Sequence, residues 1–222
     1  MTGTAGAAGA AGRIERYLAE VERAGTVTGM DGVIRPLYPA SIRYQQGRLV
    51  RDLIASEGAA ATVETGLANG ISALFACAGL LAAGRPGARH LAIDPYQSAH
   101  WHGAGLAAIA RCGLGHLAEV IQEDSALVLP RLVAEGRQFD LAFVDGDHRF
   151  HGVFLDLAYL GRLVRGGGLV ILDDYNMPSV AKAVRYFRKN LGWEMERLVH
   201  RLAVLRLPAV PVSPAWNEYE PF

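Results

Sequence analysis

The sequence predicts an α/β fold with a doubly wound, mainly parallel sheet covered by helices. Nearly unbroken apolar strands alternate with segments of helical periodicity between residues 60 and 190. Five such strands end in polar or acidic residues. The closing segments 193–198 and 201–207 have the pattern of an antiparallel hairpin, which brings the expected number of strands to seven.

Length and charge narrow the class of protein. The 222 residues suit one α/β domain, which we expect at residues 13–207 after a flexible segment at 1–12 and before a tail or flap at 208–222. The formal net charge is zero and no long basic run occurs, so neither a nucleic acid nor a membrane is an expected partner. Cys77 and Cys112 lack metal-ligand spacing, and no signal-peptide pattern is present. We therefore expect a cytoplasmic protein.

The first elements lead to a strand, a glycine turn and a helix. Residues 14–24 fit an amphipathic helix, and apolar residues recur at helical spacing over residues 42–54. A strand at 60–64 then passes Gly66 and Gly70 into the next helix. Gly66 permits a sharp turn, and Gly70 permits close approach of a ligand or of the next helix. The turn lacks the Lys-Ser/Thr ending of a phosphate loop, which argues against a nucleoside triphosphate.

The rest of the chain alternates strands with helices. Predicted strands cover residues 88–93, 117–122, 139–144 and 169–172, and predicted helices cover residues 71–81, 99–112, 125–135, 152–164 and 178–190. The polar residues at the strand ends are Glu64, Asp94, Asp124 with Ser125, Asp145, and Asp173 with Asp174. In an open parallel sheet these ends share one edge, where ligands bind. Each residue taken alone could instead cap a helix or a turn.

Together these motifs resemble those of class I S-adenosylmethionine-dependent methyltransferases. The resemblance rests on Glu64-x-Gly66-x-x-x-Gly70, on Asp94, and on the segments 143–148 and 172–175. It is closer to the small metal-dependent O-methyltransferases, which include the catechol O-methyltransferase group and the macrocin and novobiocin-type enzymes that methylate sugar hydroxyls. It extends over about residues 42–207 and implies a Rossmann-like fold that binds S-adenosylmethionine.

The resemblance also implies roles for particular residues. Its cofactor-binding positions are Glu64, Gly66, Gly70, Asp94, Asp124 and Ser125. The two glycines would lie against the methionine part, Glu64 near its amino group, and Asp94 would accept hydrogen bonds from the ribose hydroxyls. Asp124 and Ser125 match the positions beside adenine. Acidic and neutral acceptors suit a sulfonium with hydroxyls and an amine, whereas phosphates call for Lys or Arg.

A metal site is implied at Asp145, Asp173 and Asp174. Three carboxylates suit a hard cation such as Mg²⁺. The catechol-type enzymes usually have Asn at the position of Asp174, so the sugar-modifying branch is nearer there. Asp147 matches the residue proposed as general base in that branch, and His148 is the alternative, with a pKa nearer neutrality. The competing interpretation makes Asp145 a turn residue and Asp173 a helix cap.

These expectations describe an S-adenosylmethionine-dependent, Mg²⁺-dependent O-methyltransferase. Its acceptor is a hydroxyl of a small molecule, and secondary metabolism is the expected setting. The alternatives are a metal-independent enzyme that methylates nitrogen, carbon or a carboxylate, and a cofactor-binding module without catalysis. The aromatic tail and the N-terminal helix could form the contact of a homodimer.

Overall fold

The computed structural model describes residues 2–222. Its helices are α1 (Thr2–Ala24), α2 (Tyr44–Ser56), α3 (Ile71–Ala83), α4 (Ala104–Arg111), α5 (Ser125–Ala134), α6 (Phe150–Leu163) and α7 (Pro178–Asn190). Its strands are β1 (Thr26–Thr28), β2 (Ile34–Pro36), β3 (Ala61–Thr65), β4 (Arg89–Ile93), β5 (Ala118–Ile121), β6 (Phe139–Val144), β7 (Val164–Leu172), β8 (Glu194–Val199) and β9 (Leu202–Arg206).

The strands form two sheets. β1 and β2 pair as a short antiparallel hairpin, and the other seven strands form one sheet in the order β5-β4-β3-β6-β7-β9-β8. β4 runs parallel to β5, and β6 runs parallel to β7. β9 runs antiparallel to both of its neighbours, β7 and β8. The expected mainly parallel sheet with an antiparallel C-terminal hairpin is therefore confirmed.

The first of two compact units comprises Met1–Thr62 and Leu67–Glu123. Its helices α2 and α3 approach each other at Gly47 and Gly79. A Cβ atom on Gly47 would lie 2.1 Å from the Phe75 ring, and one on Gly79 would lie 2.7 Å from the Arg51 carbonyl oxygen. Because protein interiors are close-packed, side chains at these positions would force the helices apart.

The second unit comprises Val63–Gly66 and Asp124–Phe222. The ring of Phe187 on α7 packs against Phe154 on α6, with ring centroids 5.2 Å apart. The tail also packs on α7, because Asn190 Nδ2 donates to the Glu220 carbonyl and Asn190 Oδ1 accepts from the Glu220 N–H, each at 2.9 Å. The Phe222 ring stacks on Phe150 at the start of α6. The tail is thus fastened to the outside of two helices of its own unit.

Some element boundaries differ from the sequence prediction. α1 begins at Thr2, whereas the helix was predicted from residue 14, because alanine has the highest helix propensity; the flexibility expected of residues 1–12 stays a prediction, and Met1 lies outside the described residues. The β1–β2 hairpin was missed, since strands of three residues carry almost no periodicity. α4 begins five residues later than predicted, after Gly103 at φ 70°. No helix among residues 2–222 is both long and apolar enough to cross a membrane.

Gly79 provides a test of the α2–α3 packing. The Gly79→Ala variant should lower the free energy of unfolding by about 2 kcal/mol, because the added Cβ meets backbone that cannot move aside. Gly115→Ala is the matched control, since a Cβ there meets nothing within 4 Å, and its effect should stay within about 0.5 kcal/mol. Urea unfolding of both variants measures the difference. Equal stabilities would contradict the packing described.

Candidate functional site

In the first unit, Asp94 anchors the loop that follows β3. Asp94 lies directly after β4 and is 3% exposed. Its Oδ2 accepts hydrogen bonds from the N–H groups of Leu67 (3.0 Å) and Ala68 (2.8 Å). Its Oδ1 accepts from the Tyr96 N–H at 2.8 Å. Asp94 therefore has a structural role whether or not it also meets a ligand.

Gln97, which the sequence analysis did not single out, completes this arrangement. Its buried side chain donates through Nε2 to Asp94 Oδ2 (3.0 Å) and to the Ala68 carbonyl (2.9 Å). Within the described part of the chain its Oε1 is buried and has no hydrogen-bond partner. The only sequence signal was its position three residues after a strand-end Asp. Gln97 thus contributes a polar acceptor beside Asp94.

Backbone contacts account for both glycines of the turn. In the first unit, Gly70 has φ 79°, and a Cβ there would lie 2.9 Å from the Gly105 Cα of α4. In the second unit, Gly66 has φ 88°, and a Cβ there would lie 2.1 Å from the Asp145 carbonyl oxygen. The close approach at Gly70 is therefore that of α4, and not of α3, the next helix, as one of the two alternatives had it. The cofactor contacts of both glycines stay predictions.

In the second unit, two strand-end carboxylates meet one imidazole. Asp145 follows β6 and Asp174 lies two residues past β7, and these strands are parallel neighbours. His148 Nε2 lies 3.3 Å from Asp145 Oδ1 and 3.1 Å from Asp174 Oδ2. The three ligand atoms all lie within 4.8 Å of one another. We call this set the acid–histidine cluster; its donor types fit a divalent cation.

Asp173 faces an arginine that the sequence analysis did not identify. Arg201 Nε lies 2.9 Å from Asp173 Oδ1, and Arg201 Nη2 lies 3.0 Å from Asp173 Oδ2. Arg201 Nη1 also lies 3.1 Å from Asp174 Oδ1. Of the three predicted metal ligands, the structure thus places Asp145 and Asp174 beside His148, and Asp173 against Arg201.

The titratable groups of this region influence one another. Burial raises the pKa of Asp145 to about 7, the nearby Asp173 carboxylate adds to the rise, and the hydrogen bond with His148 opposes it. The same hydrogen bond raises the pKa of His148, although desolvation opposes that shift. Desolvation also opposes the charged form of Arg201, but the neighbouring carboxylates raise the pKa of its guanidinium. The region therefore gathers acids whose charges need cationic partners.

The two predicted bases differ in their contacts. Desolvation disfavours the Asp147 carboxylate, but hydrogen bonds from Arg149 lower its pKa overall. Arg149 Nε lies 2.9 Å and 3.0 Å from the two oxygens of Asp147. His148 instead faces the cluster, and its carbonyl accepts a 2.6 Å hydrogen bond from the Ser179 hydroxyl at the start of α7. The base predicted as the alternative is thus the one oriented toward the strand-end acids.

The remaining predicted cofactor residues also lie in the second unit. Glu64 is 1% exposed in β3. Asp124 caps α5, since its Oδ1 accepts the Ala126 N–H at 2.9 Å, as the capping interpretation expected. Ser125 forms a side-chain hydrogen bond with Asp156 of α6. Burial raises the pKa of Asp156 to about 6, and the Ser125 hydroxyl opposes that rise.

A cavity of about 410 Å³ lies elsewhere, among α1, α2 and α3 of the first unit. Alanine and leucine side chains form most of its lining, together with Tyr44 and Phe75. None of the predicted site residues lines it. The cavity therefore adds nothing to the chemistry of the strand ends.

Comparisons with known proteins agree with this arrangement. A family model described as a methyltransferase domain matches residues 63–175. A flavonoid 3′,5′-methyltransferase from Vitis vinifera is 29% identical over 137 residues, which cover 60% of this chain and 55% of the relative. Tricin synthase 2 from Oryza sativa subsp. japonica is 31% identical over 134 residues, covering 59% of this chain and 43% of the relative. The chain thus spans about half the length of these plant relatives.

Solved structures share the fold. An O-methyltransferase from Bacillus cereus, solved in complex with SAH, superposes with a TM-score of 0.64 at 18% identity, over 88% of this chain and 90% of that one. The O-methyltransferase TomG from Streptomyces achromogenes, solved with SAM, gives a TM-score of 0.64 at 21% identity. The match covers 78% of this chain and 84% of that one. At these identities the similarity is one of fold.

Asp94 can be tested as the anchor of its loop. Asp94→Asn should lower the free energy of unfolding by about 2 kcal/mol, because an amide nitrogen replaces an oxygen that accepts hydrogen bonds from N–H groups. Asp52→Asn is the control, since Asp52 is an exposed acid paired with its neighbour Arg51, and should change stability by less than about 0.5 kcal/mol. Urea denaturation measures the free energy of unfolding of both variants. Equal effects of Asp94→Asn and Asp52→Asn would refute the anchoring role.

Asp156 should make stability depend on pH. Its pKa of about 6 in the folded chain exceeds the ordinary aspartate value of 3.8, so the folded state holds the proton more tightly than the unfolded state. The stability contributed by this proton is complete below pH 4 and is lost as the pH rises through 6. Relative to wild type, Asp156→Asn should therefore gain about 3 kcal/mol between pH 4 and pH 7. A stability difference that stays constant with pH would contradict the shift.

Proposed function

The chain belongs to the methyltransferase-domain family, and we propose that it is an S-adenosylmethionine-dependent O-methyltransferase acting on a hydroxyl of a small molecule. One observation carries the proposal beyond the family. The acid–histidine cluster offers two carboxylates and an imidazole at the ends of adjacent parallel strands, where such sheets bind ligands. This donor set suits a reaction in which a hydroxyl is bound, oriented and deprotonated.

S-adenosylmethionine is the proposed methyl donor. It supplies an electrophilic methyl group on a positively charged sulfur. The proposed contacts are those of the sequence analysis, with Glu64 at the amino group, Asp94 at the ribose hydroxyls, Asp124 and Ser125 at adenine, and Gly66 and Gly70 along the methionine part. The polar groups fit the ligand's chemistry because they are carboxylates and neutral acceptors. The buried Gln97 Oε1 supports the ribose contact proposed for Asp94, since it adds a second hydrogen-bond acceptor beside that carboxylate.

Asp145 and Asp174 are the proposed ligands of a divalent cation, for which the sequence analysis expected Mg²⁺. A divalent cation lowers the pKa of a hydroxyl bound to it and fixes the direction of that oxygen. Mg²⁺ in proteins is commonly held by one or two carboxylates together with waters and substrate oxygens. Asp145 and Asp174 meet that requirement, because both carboxylates lie within 3.3 Å of the same atom, His148 Nε2.

The proposed methyl transfer is a single displacement step. The acceptor oxygen forms a bond to the methyl carbon while the carbon–sulfur bond breaks and its electron pair passes to sulfur. The hydroxyl proton passes to a side chain of the second unit. We assign this proton to His148 in preference to Asp147, because both Asp147 oxygens lie against Arg149, whereas a cation at Asp145 and Asp174 would engage the carboxylates that favour protonated His148 and so leave its Nε2 able to accept a proton.

The acceptor class rests on the relatives. A flavonoid methyltransferase among them favours a phenolic hydroxyl, while Asp174 in place of Asn favours the sugar-modifying branch. Secondary metabolism, a cytoplasmic location and a homodimer belong to the same proposal. The location is supported by Cys77 and Cys112, which are both buried, as expected of small core residues in a reducing compartment. Metal-independent transfer to nitrogen, carbon or a carboxylate, and cofactor binding without catalysis, are the competing functions.

The test combines cofactor binding with methyl transfer. Calorimetric titration should show that the wild type binds S-adenosylhomocysteine with or without chelator. Transfer of labelled methyl to a panel of catechols, flavonoids and sugars should require a divalent cation. Asp174→Ala should retain cofactor binding but lose transfer about 100-fold, because it removes one of two proposed ligands, whereas Asn would keep an oxygen that can bind the cation. The control is Asp52→Ala, which should behave as wild type.

Each competing function gives a distinct result. Transfer that survives both chelator and Asp174→Ala would support the metal-independent enzyme. Cofactor binding without transfer to any acceptor, in the presence of several divalent cations, would support the binding module. No binding of S-adenosylhomocysteine would refute the proposal.

A further inference from the structure

Arg201 lies where the C-terminal hairpin meets the acids that follow β7. Leu172, the last residue of β7, pairs with Ala203 of β9 in antiparallel register. Continuing that register by two residues brings Arg201 opposite Asp174. The Arg201 carbonyl accepts the Tyr175 N–H at 3.0 Å, which fixes the hairpin turn at this point. The position of Arg201 therefore follows from the strand register, and the guanidinium is directed at the acids by the sheet itself.

The guanidinium engages both oxygens of Asp173. The two contacts, at 2.9 Å and 3.0 Å, form a bidentate pair, and the Asp173 side chain is fully buried. Asp174 is shared instead, since its Oδ1 faces Arg201 at 3.1 Å and its Oδ2 faces His148 at 3.1 Å. Bidentate pairs of this kind are strong and directional. Asp173 is therefore committed to Arg201, while one oxygen of Asp174 faces the cluster.

We propose that Arg201 sets the affinity of the cation site in two ways. It withdraws Asp173 from the ligand set, and its positive charge offsets one of the negative charges of the site. The inference rests on the proposed function, because that proposal places a cation at Asp145 and Asp174. Asp173 then serves as the partner of Arg201 and not as a ligand. A resident positive charge beside Asp174 also weakens cation binding relative to a site composed of acids alone.

Mn²⁺ binding, followed by electron paramagnetic resonance without acceptor, measures the site independently of turnover. Arg201→Gln should raise the Mn²⁺ affinity about tenfold, because it removes a positive charge and releases Asp173. Arg197→Gln is the matched control, since Arg197 is an exposed arginine of the same hairpin, on β8. This control should leave the Mn²⁺ affinity within about twofold of wild type.

The charge-matched double variant Asp173→Ala/Arg201→Gln decides the role of Asp173, because alanine has no oxygen that could still bind the cation. This variant removes both members of the pair, so it leaves no buried charge unpaired and should remain folded even if Arg201→Gln alone does not. If Asp173 is only the partner of Arg201, the double variant binds Mn²⁺ within about threefold of wild type. If Asp173 is a ligand, the double variant loses affinity as severely as Asp174→Ala, and the inference is overturned.

Two further outcomes separate this inference from the proposed function. Titration with S-adenosylhomocysteine is run on each variant. Loss of cofactor binding already in the wild type would refute the proposed function, whatever the Mn²⁺ result. Normal cofactor binding with no Mn²⁺ binding in the wild type or in Arg201→Gln would overturn the inference together with the proposed cation site, but not the proposed binding of S-adenosylmethionine. Equal Mn²⁺ affinities of wild type and Arg201→Gln would also overturn the inference.

Discussion

Three carboxylates follow two neighbouring parallel strands, and their charges must be offset if the strand ends are to stay together. Two like charges 4 Å apart repel by about 4 kcal/mol at an effective dielectric constant of 20. The chain meets this requirement with its own side chains. Arg201 holds Asp173 in a bidentate pair, and His148 lies between Asp145 and Asp174. Much of the chemistry proposed for the second unit depends on this balance, because it determines which oxygens stay available to a cation.

In the first unit, a buried carboxylate is stabilised by backbone N–H groups. Asp94 also follows a buried strand, but its carboxylate is stabilised by N–H donors from the glycine turn and from the segment after β4. A carboxylate oxygen can accept more than one hydrogen bond, so anchoring the loop and meeting a ribose are compatible roles. Gly70 is explained without a ligand, since α4 approaches it at Gly105. The glycine turn and Asp94 therefore stabilise the packing of the first unit, in addition to the cofactor binding proposed for them.

The fold was largely predictable from the sequence because long apolar runs and helical periodicity determine parallel sheets and their covering helices. β6 was predicted with its observed bounds, and α7 likewise. Asp145 and Asp174 were predicted to converge because strand ends share an edge. Arg201 was not predictable, since its position depends on the register between β7 and β9, which no local pattern reveals. Gln97 was missed because a single buried glutamine has no periodicity.

A crystal structure with S-adenosylhomocysteine and Mn²⁺, measured at the manganese absorption edge, tests the central claim most directly. The account predicts one anomalous peak about 2.2 Å from oxygens of Asp145 and Asp174. It also predicts that Arg201 stays paired with Asp173 and that the cofactor's ribose lies beside Asp94. A peak coordinated by Asp173 with Arg201 displaced would contradict the account of the cation site, and a structure without bound cofactor at saturating concentration would contradict the proposed function.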